Sequence, residues 1–259
     1  MHIECINPAE LAATVKRSNC NSLLLDYDGT LVPFKAIPAD ARPTEQIRVL
    51  LSGLAKKILV GIVSGRCIAE LKQLLPLKNI ILVGCHGAEI QTSEKVWLKK
   101  PDQGRENEIV KELLMKIERE ISSIHGITLE NKIVSIALHY RNAGATETGL
   151  AVNTFKALTR AYVENRLFRW LEGKKVIEFL PAKTNKGESV EFLLQHFGLN
   201  KARTTYIGDD QTDETAFRVL LSSAITVVVG SRKKNSCARF CLRSPAEVID
   251  FLEILQSIR

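Results

Sequence analysis

The chain has 259 residues, of which 45% are hydrophobic and 25% are charged. This composition is typical of a globular protein and excludes a disordered or fibrous chain, and the length allows one large domain or two modest ones. No apolar run approaches the roughly 20 residues of a membrane-spanning helix, and residues 1–21 contain no continuous apolar stretch typical of a secretion signal. We therefore expect a cytoplasmic protein without a membrane partner.

The net charge of +7 is compatible either with nucleic-acid binding or with a small anionic substrate. The basic residues are dispersed, and the basic run Arg232–Lys234 has no aromatic residues interleaved with it. We therefore expect no nucleic-acid partner. The six cysteines include no Cys-x-x-Cys pair, which indicates reduced structural thiols rather than a disulfide framework or a zinc site.

The first hundred residues alternate between helical patterns and short apolar runs. The predicted elements are a helix over 8–16, a strand over 23–25, a helix over 43–57, a strand over 58–63, a helix over 68–75 and a strand over 80–83. Each strand is a continuous apolar run, as is typical of a parallel sheet covered by helices on both faces. This pattern predicts a doubly wound, Rossmann-like α/β core.

The pattern changes between residues 104 and 182. The sequence there predicts a helix over 106–124, strands over 127–130 and 133–139 with a turn at 131–132, a helix over 148–164, and a strand pair over 168–180. Helices alternating with hairpins are typical of a small α+β unit with an antiparallel sheet. We therefore predict an inserted α+β domain at 104–182, with residues 1–103 and 183–259 forming the core.

The doubly wound pattern resumes after the insertion. The predicted elements are a helix over 188–197, a strand over 204–207, a helix over 212–221, a strand over 225–229 and a terminal helix over 245–258. These strands are again continuous apolar runs, so they extend the same parallel sheet.

Two carboxylates follow the first predicted core strand. Strand alternation predicts that Asp26 and Asp28 point to the same side where the strand gives way to a loop. Like charges this close repel each other, which favours a cation between them or one shared proton. Gly29 allows the backbone to bend toward a ligand, and Thr30 adds a hydroxyl and an N–H donor. The alternative is an ordinary turn, in which Asp and Gly are common.

Four polar clusters occupy equivalent positions, each after a core strand or at the start of a core helix. The clusters are Asp26/Asp28/Thr30, Ser64/Gly65/Arg66, Lys186 and Asp209/Asp210/Asp213. Taken singly, each is also compatible with a helix cap or a solvated helix start. Because ligands bind outside the carboxyl ends of the strands in open parallel sheets, we expect the four clusters to converge on one crevice.

Such a set of residues supports phosphoryl transfer. Carboxylates from two strand ends are hard oxygen ligands that suit Mg²⁺, and a metal-bound aspartate can attack phosphorus because the metal screens the repulsion between two anions. The hydroxyls of Thr30 and Ser64 and the ammonium of Lys186 suit the charge on the phosphoryl oxygens. Asp28 is placed to protonate the leaving oxygen and later to activate water.

The four motifs, in this order, resemble those of the haloacid-dehalogenase-like phosphatases. They read Asp26-Tyr-Asp-Gly-Thr-Leu31, Ser64-Gly-Arg66, Lys186-Gly187 and Gly208-Asp-Asp-Gln-Thr-Asp-Glu214. The insertion between the second and third motifs resembles the type 2 cap domain of that superfamily. Within it, the chain is similar to the trehalose-6-phosphate phosphatase family, through its fourth motif and through the stretches His86–Glu89, His139–Arg141 and Lys175–Pro181.

The resemblance implies a role for each motif residue. Asp26 is the implied nucleophile, which forms an aspartyl phosphate, and Asp28 is the implied general acid and base. The phosphate would be gripped by Thr30, Ser64 and Lys186. The implied Mg²⁺ site consists of Asp26, the backbone carbonyl of Asp28, Asp209 and the supporting Asp213. The implied sugar contacts are Arg66, His86 and Glu89 on the core and Arg141 and Glu178 on the cap. For the last two, a salt bridge or a surface charge is an equally compatible interpretation.

The resemblance therefore predicts Mg²⁺-dependent hydrolysis of a phosphorylated sugar, with trehalose 6-phosphate as the expected substrate. Alternatives are sucrose phosphate, a glucosyl- or mannosyl-3-phosphoglycerate, or a non-catalytic role as a sugar-phosphate sensor or as a partner of a trehalose-phosphate synthase. The intact Asp26 favours an enzyme, because a binding module does not need a nucleophile. Three stretches on the sugar side depart from the family pattern, namely Cys85, Lys183–Asn185 and Gln211.

Overall fold

The computed structural model describes residues 3–35, 38–92, 97–99, 104–132, 134–230 and 236–258. The chain divides into two compact units, Met1–Lys99 with Asn185–Arg259 and Lys100–Thr184. The predicted insertion over 104–182 falls within the second unit. The basic run Arg232–Lys234, the predicted boundary at residue 103 and Ile133 of a predicted strand lie outside the described residues.

Strands and helices are numbered here along the whole chain. The described residues form thirteen strands: β1 (Glu4–Cys5), β2 (Ser22–Leu25), β3 (Leu59–Val63), β4 (Ile80–Gly84), β5 (Glu89–Gln91), β6 (Trp97–Lys99), β7 (Thr128–Asn131), β8 (Ile136–His139), β9 (Phe168–Gly173), β10 (Val176–Pro181), β11 (Thr204–Gly208), β12 (Ile225–Val229) and β13 (Phe240–Leu242). The same residues form eight α-helices: α1 (Pro8–Arg17), α2 (Glu45–Leu54), α3 (Ile68–Leu74), α4 (Arg105–Ile121), α5 (Ala145–Glu164), α6 (Lys186–His196), α7 (Glu214–Val219) and α8 (Pro245–Ser257).

The first unit is built on a nine-stranded sheet in the order β1-β13-β12-β11-β2-β3-β4-β5-β6. The strands from β1 to β4 in this order are parallel, and β5 and β6 add an antiparallel edge. The predicted doubly wound α/β core is therefore confirmed. The sequence pattern misses β1, β5, β6 and β13, because strands of two or three residues are too short to show a hydrophobic period.

Alternation along the strands sends side chains into two separate cores. Leu23 and Leu25 of β2 pack with α1, α2, α3 and α8. Leu24 packs on the opposite face with α6 and α7, in a cluster that includes Tyr206 of β11. Residue 26 has the same parity as Leu24, so the side chain of Asp26 turns toward the face on which α6 begins. The direction of the Asp26 side chain is thus set by the strand that precedes it.

The second unit is a four-stranded antiparallel sheet in the order β7-β8-β10-β9 with the helices α4 and α5. The core between them contains Phe155 of α5, Phe168 of β9 and Phe179 of β10. The rings of Phe168 and Phe179 are stacked, with their centroids 4.3 Å apart. This unit has the predicted α+β composition, although β7 includes Asn131, which the sequence pattern assigns to the turn. Among the described helices, none is both long and apolar enough to cross a membrane.

Candidate active site

Asp26 follows the central strand β2 and is buried. Its backbone N–H donates to the carbonyl of Ile207 at 2.9 Å, which continues the pairing of β2 with β11. Its Oδ1 accepts a hydrogen bond from Nζ of Lys186 at 2.6 Å. Lys186 is the first residue of α6, and its side chain is only 3% exposed. Two of the four predicted clusters therefore meet as a buried ion pair.

Asp213 is fully buried and holds the fourth motif together. Its Oδ1 accepts from Nζ of Lys186 at 2.8 Å and from the hydroxyl of Tyr206 at 2.7 Å. Its Oδ2 accepts from the backbone N–H groups of Asp209 and Asp210 at 3.1 and 3.0 Å. Both oxygens thus accept two hydrogen bonds each, which fixes the lysine and the loop after β11 in one arrangement.

Three carboxylates converge at this end of the sheet. Each of Asp26, Asp209 and Asp213 offers an oxygen, and these oxygens lie within 4.8 Å of one another. The hydroxyl of Thr30 lies 3.3 Å from Asp26 Oδ2 and 3.5 Å from Asp209 Oδ1, so it bridges two of them. The close approach of Asp209 to the loop after β2 depends on Gly29, which has φ +83°. A Cβ at this position would lie 2.5 Å from Cγ of Asp209.

The charges of this cluster suit a divalent cation. Burial raises the pKa of Asp26 well above its ordinary value, although Lys186 opposes the rise. Burial and the nearby Asp213 carboxylate raise the pKa of Asp209 to about 7. Burial lowers the pKa of Lys186, but Asp213 and Asp26 outweigh this effect and raise it above its usual value. Three carboxyl groups share one ammonium, and the raised pKa values of Asp26 and Asp209 indicate that a further cation such as Mg²⁺ would favour their ionised forms.

Asp28 has a different partner from Asp26. Strand β2 ends at Leu25, so the strand alternation does not extend to Asp28. The strand pattern predicts a shared partner for the two carboxylates, but Asp26 binds Lys186 whereas Asp28 binds Arg66. The two oxygens of Asp28 accept from Nε and Nη2 of Arg66 at 2.6 and 2.8 Å. The side chain of Asp28 is 27% exposed, and that of Arg66 is 7% exposed. The first and second motifs are therefore joined by a two-point ion pair.

The remaining core residues of the predicted site come from the segments that follow β3 and β4. Ser64 is buried, and its hydroxyl accepts from the backbone N–H of Arg66 at 3.2 Å. His86 has φ +54° and lies against Gly65, where a Cβ would be 2.7 Å from its Nε2. Glu89 is buried, and its Oε2 accepts from the backbone N–H of Ile68 at 2.7 Å. All of these residues follow the carboxyl ends of β3 and β4.

The two predicted cap residues differ in their surroundings. Glu178 of β10 is buried and accepts from the hydroxyl of Ser135 at 2.6 Å and from Nζ of Lys132 at 3.2 Å. Arg141 is exposed, and its Nη2 donates to the carbonyl of Lys174 at 3.3 Å. Glu178 therefore lies in a polar cluster within the second unit, whereas Arg141 lies at the turn between β9 and β10.

Three residues of the polar cluster in the second unit, Glu130, Lys132 and His139, are not predicted from the sequence as functional. Nε2 of His139 lies 2.8 Å from Glu130 Oε2, and Nζ of Lys132 lies 4.0 Å from the same oxygen. Burial raises the pKa of Glu130, but His139 and Lys132 outweigh it, and the net effect is a lowered pKa. The available signal is the two-residue spacing of Glu130 and Lys132, which brings their side chains to the same side of the chain at the end of β7.

Tyr206 is a core residue that the sequence pattern also does not identify as part of the site. It lies in a continuous apolar strand, where an aromatic residue is expected to be packing material. Burial and the Asp213 carboxylate raise the pKa of Tyr206 well above its ordinary value, so the hydroxyl stays protonated and donates to Asp213. A buried tyrosine needs a partner for its hydroxyl, and that need was the available signal.

Solved structures with this fold identify the class of protein. The C-terminal domain of C. albicans trehalose-6-phosphate phosphatase matches with a TM-score of 0.84 and 25% identity, covering 100% of both chains. A haloacid dehalogenase-like hydrolase from Bacteroides thetaiotaomicron matches in fold alone, with a TM-score of 0.68 and 16% identity, covering 93% of this chain and 100% of the other. The fold and the site are those of a phosphoric monoester hydrolase with a mostly parallel α/β core and a second, α+β unit.

The family follows from the sequence comparisons. The family model for trehalose-phosphatases matches residues 24–246, and the chain belongs to this family. It is 33% identical to probable trehalose-phosphate phosphatase 3 of Oryza sativa subsp. japonica, covering 92% of this chain and 69% of the relative. It is 30% identical to trehalose 6-phosphate phosphatase RA3 of Zea mays, covering 90% of this chain and 69% of the relative.

Proposed function

We propose that this protein hydrolyses trehalose 6-phosphate to trehalose and phosphate, through an aspartyl phosphate on Asp26 and with Mg²⁺. The observation that carries the proposal is the buried Asp26 carboxylate, which is bound by Lys186 and lies in a cluster with two further carboxylates. The choice of substrate is supported by membership of the trehalose-phosphatase family and by the names of the relatives.

In the first step, an oxygen of Asp26 forms a bond to phosphorus while the bond between phosphorus and the sugar oxygen breaks. The electron pair of the broken bond goes to the sugar oxygen, which takes a proton from Asp28. Lys186, which already binds Asp26 at 2.6 Å, and the hydroxyls of Thr30 and Ser64 would hold the charge on the phosphoryl oxygens. The products are free trehalose and phosphorylated Asp26.

In the second step, water releases the phosphate. The water oxygen forms a bond to phosphorus, the bond from phosphorus to Asp26 breaks, and the electron pair returns to the carboxylate. Asp28, now ionised, accepts the proton from this water and so regains its starting state. The same carboxyl group therefore gives a proton and takes one back, and the sum of the two steps is hydrolysis of the ester.

The donor set supports Mg²⁺ as the cation, held by Asp26, Asp209 and the backbone carbonyl of Asp28. When bound, the ion would neutralise the charge that opposes the approach of an anionic substrate to an anionic nucleophile. Because all four hydrogen bonds of Asp213 are made within the protein, we assign this residue to positioning Lys186 and the loop amides rather than to direct ligation.

We further propose that the second unit is a cap that selects the sugar. Glu178 and Lys132 present an acceptor and a donor side by side, as recognition of sugar hydroxyls requires, and the pair is largely shielded from solvent. Glu178, with Arg141 as a second candidate, would then contact the sugar. On the core side, His86 is the candidate for such a contact, because Oε2 of Glu89 already accepts a hydrogen bond from the backbone N–H of Ile68 in the first turn of α3.

Replacing Asp26 by asparagine tests the proposed nucleophile. We expect Asp26→Asn to abolish phosphate release while trehalose 6-phosphate still binds, because the amide is isosteric but does not attack phosphorus. In the unmodified protein, rapid quenching and mass spectrometry should find a phosphoryl group on the peptide that contains Asp26. Asp250→Asn, at an exposed position of α8, is the matched control and should leave turnover unchanged. Turnover by Asp26→Asn would contradict the mechanism.

A panel of substrates tests the proposed sugar. Phosphate release is measured from trehalose 6-phosphate, sucrose 6-phosphate and glycosyl-3-phosphoglycerates, each with Mg²⁺ and with a chelator. We expect the largest kcat/KM for trehalose 6-phosphate and no activity after chelation. A larger kcat/KM for another member of the panel would contradict trehalose 6-phosphate as the substrate and leave the phosphatase assignment intact.

A further inference from the structure

Arg66 holds Asp28 by both carboxylate oxygens, at 2.6 Å to Oδ2 and 2.8 Å to Oδ1. The planar guanidinium fork matches the plane of a carboxylate, so a pair with two parallel hydrogen bonds fixes the direction of the carboxylate as well as its distance. Asp28 is held outside the group of Asp26, Asp209 and Asp213, whose oxygens lie within 4.8 Å of one another. Arg66 therefore decides where this carboxylate points.

Arg66 is itself fixed from several sides. Its Nη1 forms an ion pair with Glu70 in the first turn of α3, and its guanidinium carbon lies 5.2 Å from the ring centroid of Tyr27. Its backbone N–H donates to the hydroxyl of Ser64, and its carbonyl accepts from the N–H of Cys85 at 2.9 Å. The ring of Tyr27 supports a cation through its face. An arginine constrained in this way can serve as a rigid reference for its partner.

We infer that Arg66 is the positioning residue of the proton-transfer step, and that it aims the Asp28 carboxyl group at the leaving oxygen instead of binding the sugar. The side chain is only 7% exposed, and two carboxylates and an aromatic ring share its guanidinium. The inference rests on the proposed function, because it requires Asp28 to be the group that protonates the sugar oxygen. Without Arg66, the partly exposed Asp28 would sample several rotamers, and proton transfer would become limited by geometry.

The dependence of rate on the leaving group separates this role from sugar binding. An alkoxide such as the oxygen of a sugar is a poor leaving group and needs a proton, whereas p-nitrophenolate leaves without one. Asp28→Asn should therefore lower the single-turnover rate of sugar release by about 10²–10⁴-fold while sparing the burst of p-nitrophenol from p-nitrophenyl phosphate. This variant sets the signature of a missing proton donor.

Arg66→Met should show the same signature in a weaker form. We expect a loss of about 10- to 100-fold in the single-turnover rate with trehalose 6-phosphate, little change in KM, and a preserved burst with p-nitrophenyl phosphate. Arg66→Lys keeps the charge without the fork and should recover only part of the rate. Glu70→Gln loosens Arg66 without touching Asp28 and should give a smaller loss. In Asp28→Asn, adding Arg66→Met should have no further effect on sugar release.

The outcomes distinguish the proposed role of Asp28 from the inferred role of Arg66. If Asp28→Asn shows no dependence on the leaving group, the proposed role of Asp28 fails. If Asp28→Asn shows it and Arg66→Met does not, the inference about Arg66 fails alone. A raised KM for trehalose 6-phosphate with unchanged kcat in Arg66→Met would make Arg66 a sugar contact and overturn the inference. Thermal unfolding of each variant verifies that the fold is kept.

Discussion

Replacing Lys186 by methionine removes the cation from the centre of the carboxylate cluster. The side chain of Lys186 is 3% exposed, and those of its partners Asp26 and Asp213 are 6% and 0% exposed. Removing one partner of a buried ion pair typically costs about 3–5 kcal/mol, because the remaining charge has lost its compensation. In metal-free buffer at neutral pH, we therefore expect the free energy of unfolding of Lys186→Met to fall by this amount.

A carboxylate that has lost Lys186 can take up a proton, which limits the loss of unfolding free energy. The size of this limit depends on pH. Neutralising a carboxyl group of ordinary pKa, about 3.9, costs about 5 kcal/mol at pH 7.5 but only about 2 kcal/mol at pH 5.5. A carboxyl group whose pKa is raised in the folded state destabilises the protein at high pH, and this penalty disappears as the pH falls toward the unfolded value. In the unmodified protein, the stability that Lys186 contributes stays constant over this range. Because the pKa of Lys186 is raised, this contribution is lost only at alkaline pH.

The assay is urea unfolding followed by circular dichroism at pH 7.5 and 5.5 with a chelator present. The stability lost by Lys186→Met should shrink from about 3–5 kcal/mol to about 2 kcal/mol or less on acidification. Lys56→Met, at an exposed position in the same unit, is the matched control and should stay within about 0.5 kcal/mol of the unmodified protein at both pH values. A loss that is equal at the two pH values, or no loss at all, would refute the reasoning.

Two further predictions concern the proposed Mg²⁺ site. Gly29→Ala would place a methyl group against the Asp209 carboxylate and should weaken Mg²⁺ binding by calorimetry at least about tenfold. Gly198→Ala has a similar left-handed backbone, at φ +60°, but open space around it, so it should lose about 1 kcal/mol of stability and no metal affinity. Because the pKa of Asp209 is raised to about 7, Mg²⁺ must displace a proton below that pH, and the apparent affinity should fall about tenfold per unit there. Equal affinity at pH 6 and pH 8 would contradict this role of Asp209.

Much of the core was predictable because its strands are continuous apolar runs. Buried parallel strands must be apolar on both faces, and their ends coincide with the polar motifs. The predicted helices likewise begin and end within a few residues of α1, α3, α6 and α8. The grouping of Asp26 with Lys186 and Asp209 followed from topology alone, since the carboxyl ends of adjacent parallel strands share one edge.

The side-chain partners were beyond the reach of sequence patterns. The two-residue motif spacing of Asp26 and Asp28 gives no indication that one pairs with Lys186 and the other with Arg66. That outcome depends on β2 ending at Leu25, and element boundaries are decided by tertiary pairing more than by local preference. The hydroxyl of Tyr206 and the ring of Tyr27 also act through contacts whose partners are not adjacent in sequence.

The pairing of β2 with β11 has a consequence for the order of folding. Ser22 to Leu25 align with Thr204 to Ile207, so Asp26 meets Lys186 and its acidic partners across a separation of some 160 to 190 residues. At a synthesis rate of roughly 5–20 residues per second, Asp26 exists for roughly ten seconds or longer before β11 has been made. During that interval it is an ordinary aspartate on a strand with an open edge. The site around Asp26 therefore forms late, after β11 has been made and has paired with β2.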